Sequence, residues 1–184
     1  MAKMQKVILS STGVEQTVRN ISDKICSCFS PVKNIVLIGI QTRGVPLARR
    51  IAQNIYEKTG HEVRVGVLDI TLYRDDMHSI ALQPLIKETE LPLDLNDRLV
   101  VLVDDVLFTG RSIRAALDQL IDFGRPQAVR LCVLLDRGHR EFPIQPDVVG
   151  KLIATSKSED VKVLLKEVDG KDQVVVLQNK KKKN

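Results

Sequence analysis

Residues 100–112 read VVLVDDVLFTGRS. Val100 to Val103 are apolar and, apart from Leu102, β-branched, which suits a strand buried on both faces of a parallel sheet. The strand is expected to end in two adjacent carboxylates, Asp104 and Asp105. Their side chains leave on opposite faces wherever the backbone is still extended. Thr109-Gly110-Arg111-Ser112 follows, with Gly110 permitting a tight turn. A helical spacing begins directly after it, carried by Ile113, Ala116, Leu117, Leu120 and Ile121. Backbone amides and hydroxyls at such a helix start form a ready anion site. Carboxylates able to accept from vicinal hydroxyls thus stand beside a cradle for phosphate, and a sugar phosphate meets both demands.

A hydrophobic strand ending in Asp-Asp also occurs in a Walker B segment and in a phosphoacceptor pocket. The first reading lacks its other half, because GxxxxGK[ST] occurs nowhere in the chain. The second does not call for a phosphate turn a few residues later. A plain buried strand with a solvated acidic end explains neither the paired acids nor the turn.

Outward from this segment, strands alternate with helices. Val14, Val18, Ile21, Ile25 and Phe29 form one helical stripe, stopped by Pro31. Residues 34–40 (NIVLIGI) read as a buried strand that runs through Gln41-Thr42-Arg43-Gly44 into a helix carrying Leu47, Ile51 and Ile55, closed by Gly60. Residues 63–71 are a further strand, and residues 72–92 a long polar loop, which inside a compact domain is functional or mobile. Residues 128–135 are the next strand, and residues 136–158 are irregular. Residues 161–168 and 173–177 flank Asp169-Gly170 as a terminal hairpin. This order implies an α/β sheet with right-handed crossovers, in which ligands bind beyond the carboxyl ends of the strands. The loops at 41–44, 104–112 and 136–141 all follow strands, so they can share one rim. Thr42-Arg43-Gly44, set between a buried strand and a helix start, can take a second anion.

With 184 residues the chain reads as a single domain over 1–179, followed by a disordered lysine tail at 180–184. Lys and Arg number 28 against 23 Asp and Glu, but Lys180 to Lys183 supply most of the net +5 and the rest is close to neutral. Aromatic residues make up 3%, which gives little support to single-strand recognition by stacking. The apolar stretch Val7-Ile8-Leu9 is too short for a secretory start, and no run approaches membrane-spanning length. Cys26, Cys28 and Cys132 have no framework spacing. A cytoplasmic protein with reduced thiols is expected, with no membrane partner.

The 100–112 stretch resembles the 5-phosphoribosyl-1-diphosphate (PRPP) signature of the type I phosphoribosyltransferases. The resemblance then narrows. TRG at 42–44, DITLYRDD at 69–76, VDDVLFTGRS at 103–112, DFGRP at 122–126, LLDRGHRE at 134–141 and TSKSE at 155–159 occur in the order of the PyrR family. The similarity covers essentially the whole chain before the lysine tail. It implies a type I phosphoribosyltransferase fold, a parallel sheet flanked by helices with a small hood and a C-terminal β-hairpin. It also implies uracil phosphoribosyltransferase activity, uracil and PRPP giving UMP and diphosphate, with Mg²⁺ carried on the diphosphate rather than in a protein cage. Asp104 and Asp105 would hold the ribose hydroxyls, with Asp105 also placed to help deprotonate the base. Val106, Leu107, Phe108, Thr109, Gly110, Arg111 and Ser112 would hold the 5-phosphate, and Thr42 and Arg43 the diphosphate. Arg74, in a flap at 69–76, would assist the departing diphosphate and complete the catalytic set with the two acids. Residues 136–161 would form the hood, with Arg137 and Val161 contacting the base. His139 could be a proton carrier, although a surface or RNA-facing role suits a histidine between two arginines better.

The family also binds pyrimidine-operon leader RNA in response to UMP and UTP, and tends to form homodimers and higher oligomers. Arg19, Lys24, Arg137, His139, Arg140, Lys151 and Lys157 are the RNA candidates by that resemblance. Arg19 and Asp23 stand where threonine and histidine are usual in the family, Gln145 replaces an arginine, and Gln41 replaces a lysine. Three readings stay open: a bifunctional enzyme and attenuator, a phosphoribosyltransferase without regulatory RNA binding, and a UMP sensor.

Overall fold

The computed structural model describes residues 4–71, 89 and 94–178. Strand β1 (Met4–Leu9) leads into helix α1 (Ser11–Cys28), whose first turn is capped by Ser10 Oγ accepting from the Gly13 amide at 3.3 Å. β2 (Ile35–Ile40) and α2 (Gly44–Thr59) follow, and Gly60 ends α2 in the left-handed region at φ 71°. Next come β3 (Arg64–Leu68), β4 (Leu99–Leu107), α3 (Arg111–Ile121), β5 (Ala128–Asp136) and β6 (Val148–Leu152). β7 (Asp160–Leu164), the short turn α4 (Lys166–Asp169) and β8 (Gln173–Gln178) complete the described fold.

β3-β2-β4-β5-β6 form a parallel sheet with β4 at its centre. Along β4, Val101 and Val103 join a core with Val14, Ile21, Leu47 and Ile51 from α1 and α2. Val100 and Leu102 join a second core with Ile113, Ala116 and Leu120 of α3. That two-sided burial is what the continuous apolar run of the strand anticipates. Glycines set the spacing. A Cβ on Gly44 would lie 2.3 Å from the Val103 carbonyl oxygen, and one on Gly39 2.5 Å from Val45 Cα. The N-terminus of α2 therefore rests directly on β2 and on β4, the strand that carries the acids.

Several expectations change. The paired acids do not end their strand, because β4 continues to Leu107 and is still extended at both. β6 lies inside the stretch read as irregular. It is a short edge strand whose Gly150 gives way to Thr17, whose Cγ2 would meet an added Cβ at 2.5 Å. The segment expected to form the hood, 136–161, contains this strand and an irregular arch at 153–159. The terminal hairpin of β7 and β8 is present, but α4 lies between its strands, and β1 pairs antiparallel with β8 to make a three-stranded sheet. Ile121, the last residue of the expected helical spacing, is 72% exposed at the end of α3. The lysine tail and nearly all of the long polar loop, Arg74 included, lie outside the described residues.

Candidate active site

Two cavities of about 280 Å³ each open beyond the end of β4 and share Asp104, Val106 and Ser112 in their walls. One is ringed by the turn from Leu107 to Ile113. The other adds Ile40, Gln41, Thr42, Arg43, Ile70 and Asp105. An oblong polar ligand with an anion at each end would match this pair, because the Asp104 carboxylate lies where the two meet.

The turn is tightly constrained. Gly110 sits at φ 91°, conformational space that a side chain rarely enters, and Arg111 N–H donates to Thr109 Oγ1 at 3.4 Å. The turn is also clamped from outside. The Thr109 carbonyl accepts from the amides of Glu141 and Phe142 at 2.9 and 3.1 Å. The Arg111 guanidinium reaches Glu141 Oε2 at 2.7 Å and lies 5.5 Å from the Phe142 ring centre.

Asp104 is almost fully buried and its Oδ1 accepts from the Asp105 amide at 2.9 Å. Asp105 Oδ1 accepts from the Val106 amide at 2.8 Å. Burial pushes the Asp105 carboxyl above the usual aspartate range, with the Arg43 guanidinium and the Val106 amide pulling in the opposite direction. Arg43, at the N-terminus of α2, forks onto Asp169 at 2.8 and 3.3 Å. Thr42 is exposed on the same loop, after a cis peptide bond from Gln41.

The loop after β5 is more inward-facing than its charges suggest. Arg137 is only 7% exposed and donates to Thr155 Oγ1 at 3.1 Å and to the carbonyls of Ser156 and Glu159, each at 2.8 Å. Its guanidinium lies 4.1 Å from the Phe108 ring centre, and burial lowers its pKa. It thus ties the 153–159 arch to Phe108, at the start of the turn after β4. His139 was expected to face solvent or RNA. Instead its Nε2 lies 2.6 Å from the Thr155 carbonyl and its ring meets Phe108 edge-on. Arg140 likewise donates to the carbonyls of Ile144 and Phe108 and to Asp136 Oδ2, so its charge is spent within the fold. Val161 is paired with Val176 in the C-terminal sheet and packs against the core, half-buried. Lys151 and Lys157 are exposed. Arg19 is exposed and paired with Glu15 at 3.0 Å, and Lys24 donates to the Val149 carbonyl at 2.9 Å.

The phosphoribosyl transferase domain model matches residues 4–172. A protein of Deinococcus radiodurans named bifunctional protein PyrR is 52% identical over 174 residues, covering 95% of each chain. Its namesake in Pelotomaculum thermopropionicum is 48% identical over 97% of this chain and 98% of its own. The chain belongs to the PyrR family of phosphoribosyltransferases. Solved structures place this PyrR-family fold beside hypoxanthine phosphoribosyltransferase of Trypanosoma cruzi, with a TM-score of 0.69 at 16% identity over 97% of this chain and 93% of that one. HGPRT-ase of Leishmania tarentolae gives 0.68 at 14% identity over 97% and 100%.

Among the described residues of this PyrR-family chain, no group of three or more His, Cys, Asp or Glu converges as a metal cage. At the cavity junction Asp104 and Ser112 bring oxygen donors, and Asp105 adds a second carboxylate in the wall of one cavity, a set that suits a magnesium ion sharing its shell with substrate oxygens. Sequence reasoning missed Asp169 and Glu141, the anchors of the two arginines. The signal was present: Glu167, Asp169 and Asp172 fall within six residues, and Arg43, Arg49 and Arg50 within eight.

Proposed function

We propose that this chain transfers the 5-phosphoribosyl group of PRPP to uracil, releasing diphosphate, and that it couples the bound nucleotide to recognition of pyrimidine-operon leader RNA. The observation that carries the enzymatic half is the junction of the two cavities at Asp104, Val106 and Ser112. The 5-phosphate would sit in the Thr109–Ser112 turn, the ribose hydroxyls on Asp104 and Asp105, and the diphosphate against Thr42 and Arg43. Magnesium would be held by substrate oxygens beside the two acids and would neutralise leaving-group charge. A bond forms from uracil N1 to the ribose C1 as the bond from C1 to the diphosphate oxygen breaks, through an oxocarbenium-like transition state. The N1 proton leaves with Asp105 as the nearest base. Its raised affinity for protons suits that role, and Arg43 supports the departing charge. Arg137 shapes the base pocket by holding the 153–159 arch over Phe108, with Val161 at the arch's end. Arg74, outside the described residues, is the remaining candidate for the diphosphate.

The regulatory half rests on the family and on a smaller basic face than the sequence suggests. The Lys24 bond to Val149 joins α1 to β6 and brings Lys24 to the neighbourhood of Lys151, while Arg19 lines a groove with Arg49 and Arg50 of α2. Exposed Asp23, an acid in that region, is engaged by Lys58. Lys157 on the arch extends the face. A cytoplasmic homo-oligomer is part of this reading; no helix among the described residues is long and apolar enough to cross a membrane. The decisive experiment is diphosphate release from PRPP with uracil, hypoxanthine, guanine or orotate, followed by filter binding of leader RNA with and without UMP. Turnover with uracil and UMP-strengthened RNA retention are expected. Turnover without RNA retention would leave the enzyme alone, and UMP binding without turnover would leave a sensor.

A further inference from the structure

Arg43 makes both of its side-chain hydrogen bonds, among the described residues, to one carboxylate at the far end of the chain. Nη2 donates to Asp169 Oδ1 at 2.8 Å and Nε to Oδ2 at 3.3 Å, while Nη1 has no described acceptor. A guanidinium is a planar fork with two usable edges. Here one edge is taken and the other is left, on a side chain that is a third exposed and lines the cavity with Gln41, Thr42, Asp104 and Asp105.

Asp169 is itself held firmly. Its Oδ2 accepts from the Leu165 amide at 2.9 Å, closing the α4 turn. Two helical turns along α2 from Arg43, Arg50 grips the same turn from both sides. It donates to Glu167 at 2.8 and 2.6 Å and to Asp172 at 3.1 and 2.8 Å. Those bonds raise the pKa of Arg50, and the arginines depress Asp169 and Glu167. The acids of α4 are thus ionised and fixed before any substrate arrives.

We propose that Asp169 is the positioning residue of the diphosphate subsite: by holding the Nε–Nη2 edge of Arg43, it presents the remaining edge to the diphosphate of PRPP. The proposal deepens the phosphoribosyltransferase reading and rests on it. A free arginine would lose rotamer entropy on binding, whereas one already fixed by a carboxylate loses less. Asp169 lies outside the cavity wall, so it acts through Arg43 and has no contact with ribose, phosphate or base.

Ligand selectivity provides the test. Calorimetry would compare wild type, Asp169→Asn and Glu167→Gln with PRPP, with diphosphate and with UMP, magnesium present. An asparagine oxygen still accepts from the Leu165 amide, so the turn survives while the ionic grip on Arg43 is lost. PRPP and diphosphate should bind Asp169→Asn about tenfold more weakly, about 1.4 kcal/mol, with UMP within twofold of wild type. KM for PRPP should rise in step while KM for uracil stays put. Glu167→Gln, which loosens the turn without touching Arg43, should show the same selectivity at about threefold. It carries the test should the asparagine variant fail to fold. Equal loss of all three ligands would mean a merely structural role and overturn the proposal. Unchanged or tighter PRPP binding would overturn it too, the latter making Asp169 a competitor. Wild-type protein that binds neither PRPP nor UMP would instead sink the underlying phosphoribosyltransferase reading.

Discussion

Replacing Gly44 with alanine would put a methyl carbon 2.3 Å from the carbonyl oxygen of Val103 and 3.4 Å from Asp104 Cα. Neither atom can rotate away, since both belong to the backbone of the central strand. Restoring an ordinary contact requires α2 and β4 to part by about 1 Å, and overpacking of this kind costs about 1–3 kcal/mol. For a chain of this size about 2 kcal/mol lowers Tm by roughly 4–8 °C. The displacement matters more for chemistry, because the N-terminus of α2 carries Arg43 and the next residues of β4 are the acids. Moving one anchor of an extended substrate by about 1 Å costs on the order of 100-fold in turnover. Gly60→Ala provides the control: its φ is 71°, nothing lies within 4 Å, and it sits at the other end of α2. It should cost about 1 kcal/mol of stability and leave kcat unchanged. Scanning calorimetry and diphosphate release measured on both variants decide the matter. A Gly44→Ala enzyme with kcat/KM within twofold of wild type would refute the claim that this close approach sets the geometry of the site.

The raised pKa of Asp105 fixes the sign of a pH effect. Activity should fall as pH drops through a value above the ordinary aspartate range, and Asp105→Asn should abolish that acid limb while lowering kcat. Because the folded pKa is raised, stability is greatest below the unfolded value and declines as pH rises through the folded one. The asparagine variant should therefore be more stable than wild type near neutrality, as read by denaturant titration. Arg137→Ala removes three hydrogen bonds and the contact with Phe108, so a loss of about 3 kcal/mol is expected, along with weaker UMP binding and unimpaired diphosphate binding. Equal loss of both ligands would count against its role in the arch. Lys151→Glu and Lys157→Glu should each weaken leader-RNA binding and lower the salt slope by roughly 1, leaving turnover intact, as read by filter binding across a salt series. Unaltered slopes would remove these lysines from the RNA face.

What the sequence reveals about this fold follows from where each signal resides. Val14 to Ile25, residues 35–40 and Val100 to Ser112 carry their own periodicity, so α1, β2 and the β4–turn–α3 unit are readable without their neighbours. β1 has no such signal. Its residues become a strand only through β8, more than 160 positions later, in the register Met4 to Gln178. β6 is hidden by Pro143, Pro146 and Gly150, and the reason for that glycine is Thr17 on another element. The acids at 104 and 105 and the TGRS turn are visible because strand and loop adjoin in sequence. The contacts of His139 and Arg140 are not legible in the sequence, because their carbonyl partners on Thr155, Phe108 and Ile144 are brought together only by the fold. Asp169 looked like a turn residue for the same reason.

Pairing of β1 with β8 has a bearing on how this protein is made. β1 leaves the ribosome long before β8, its sole strand partner among the described residues, exists. The parallel sheet can form without any later segment, since β2 to β6 are complete by Leu152. The grip on Arg43 cannot, because Asp169 is translated after every strand of that sheet. A shortened chain ending at residue 165 would thus keep the residues that line both cavities and still lack the carboxylate that steadies one of them.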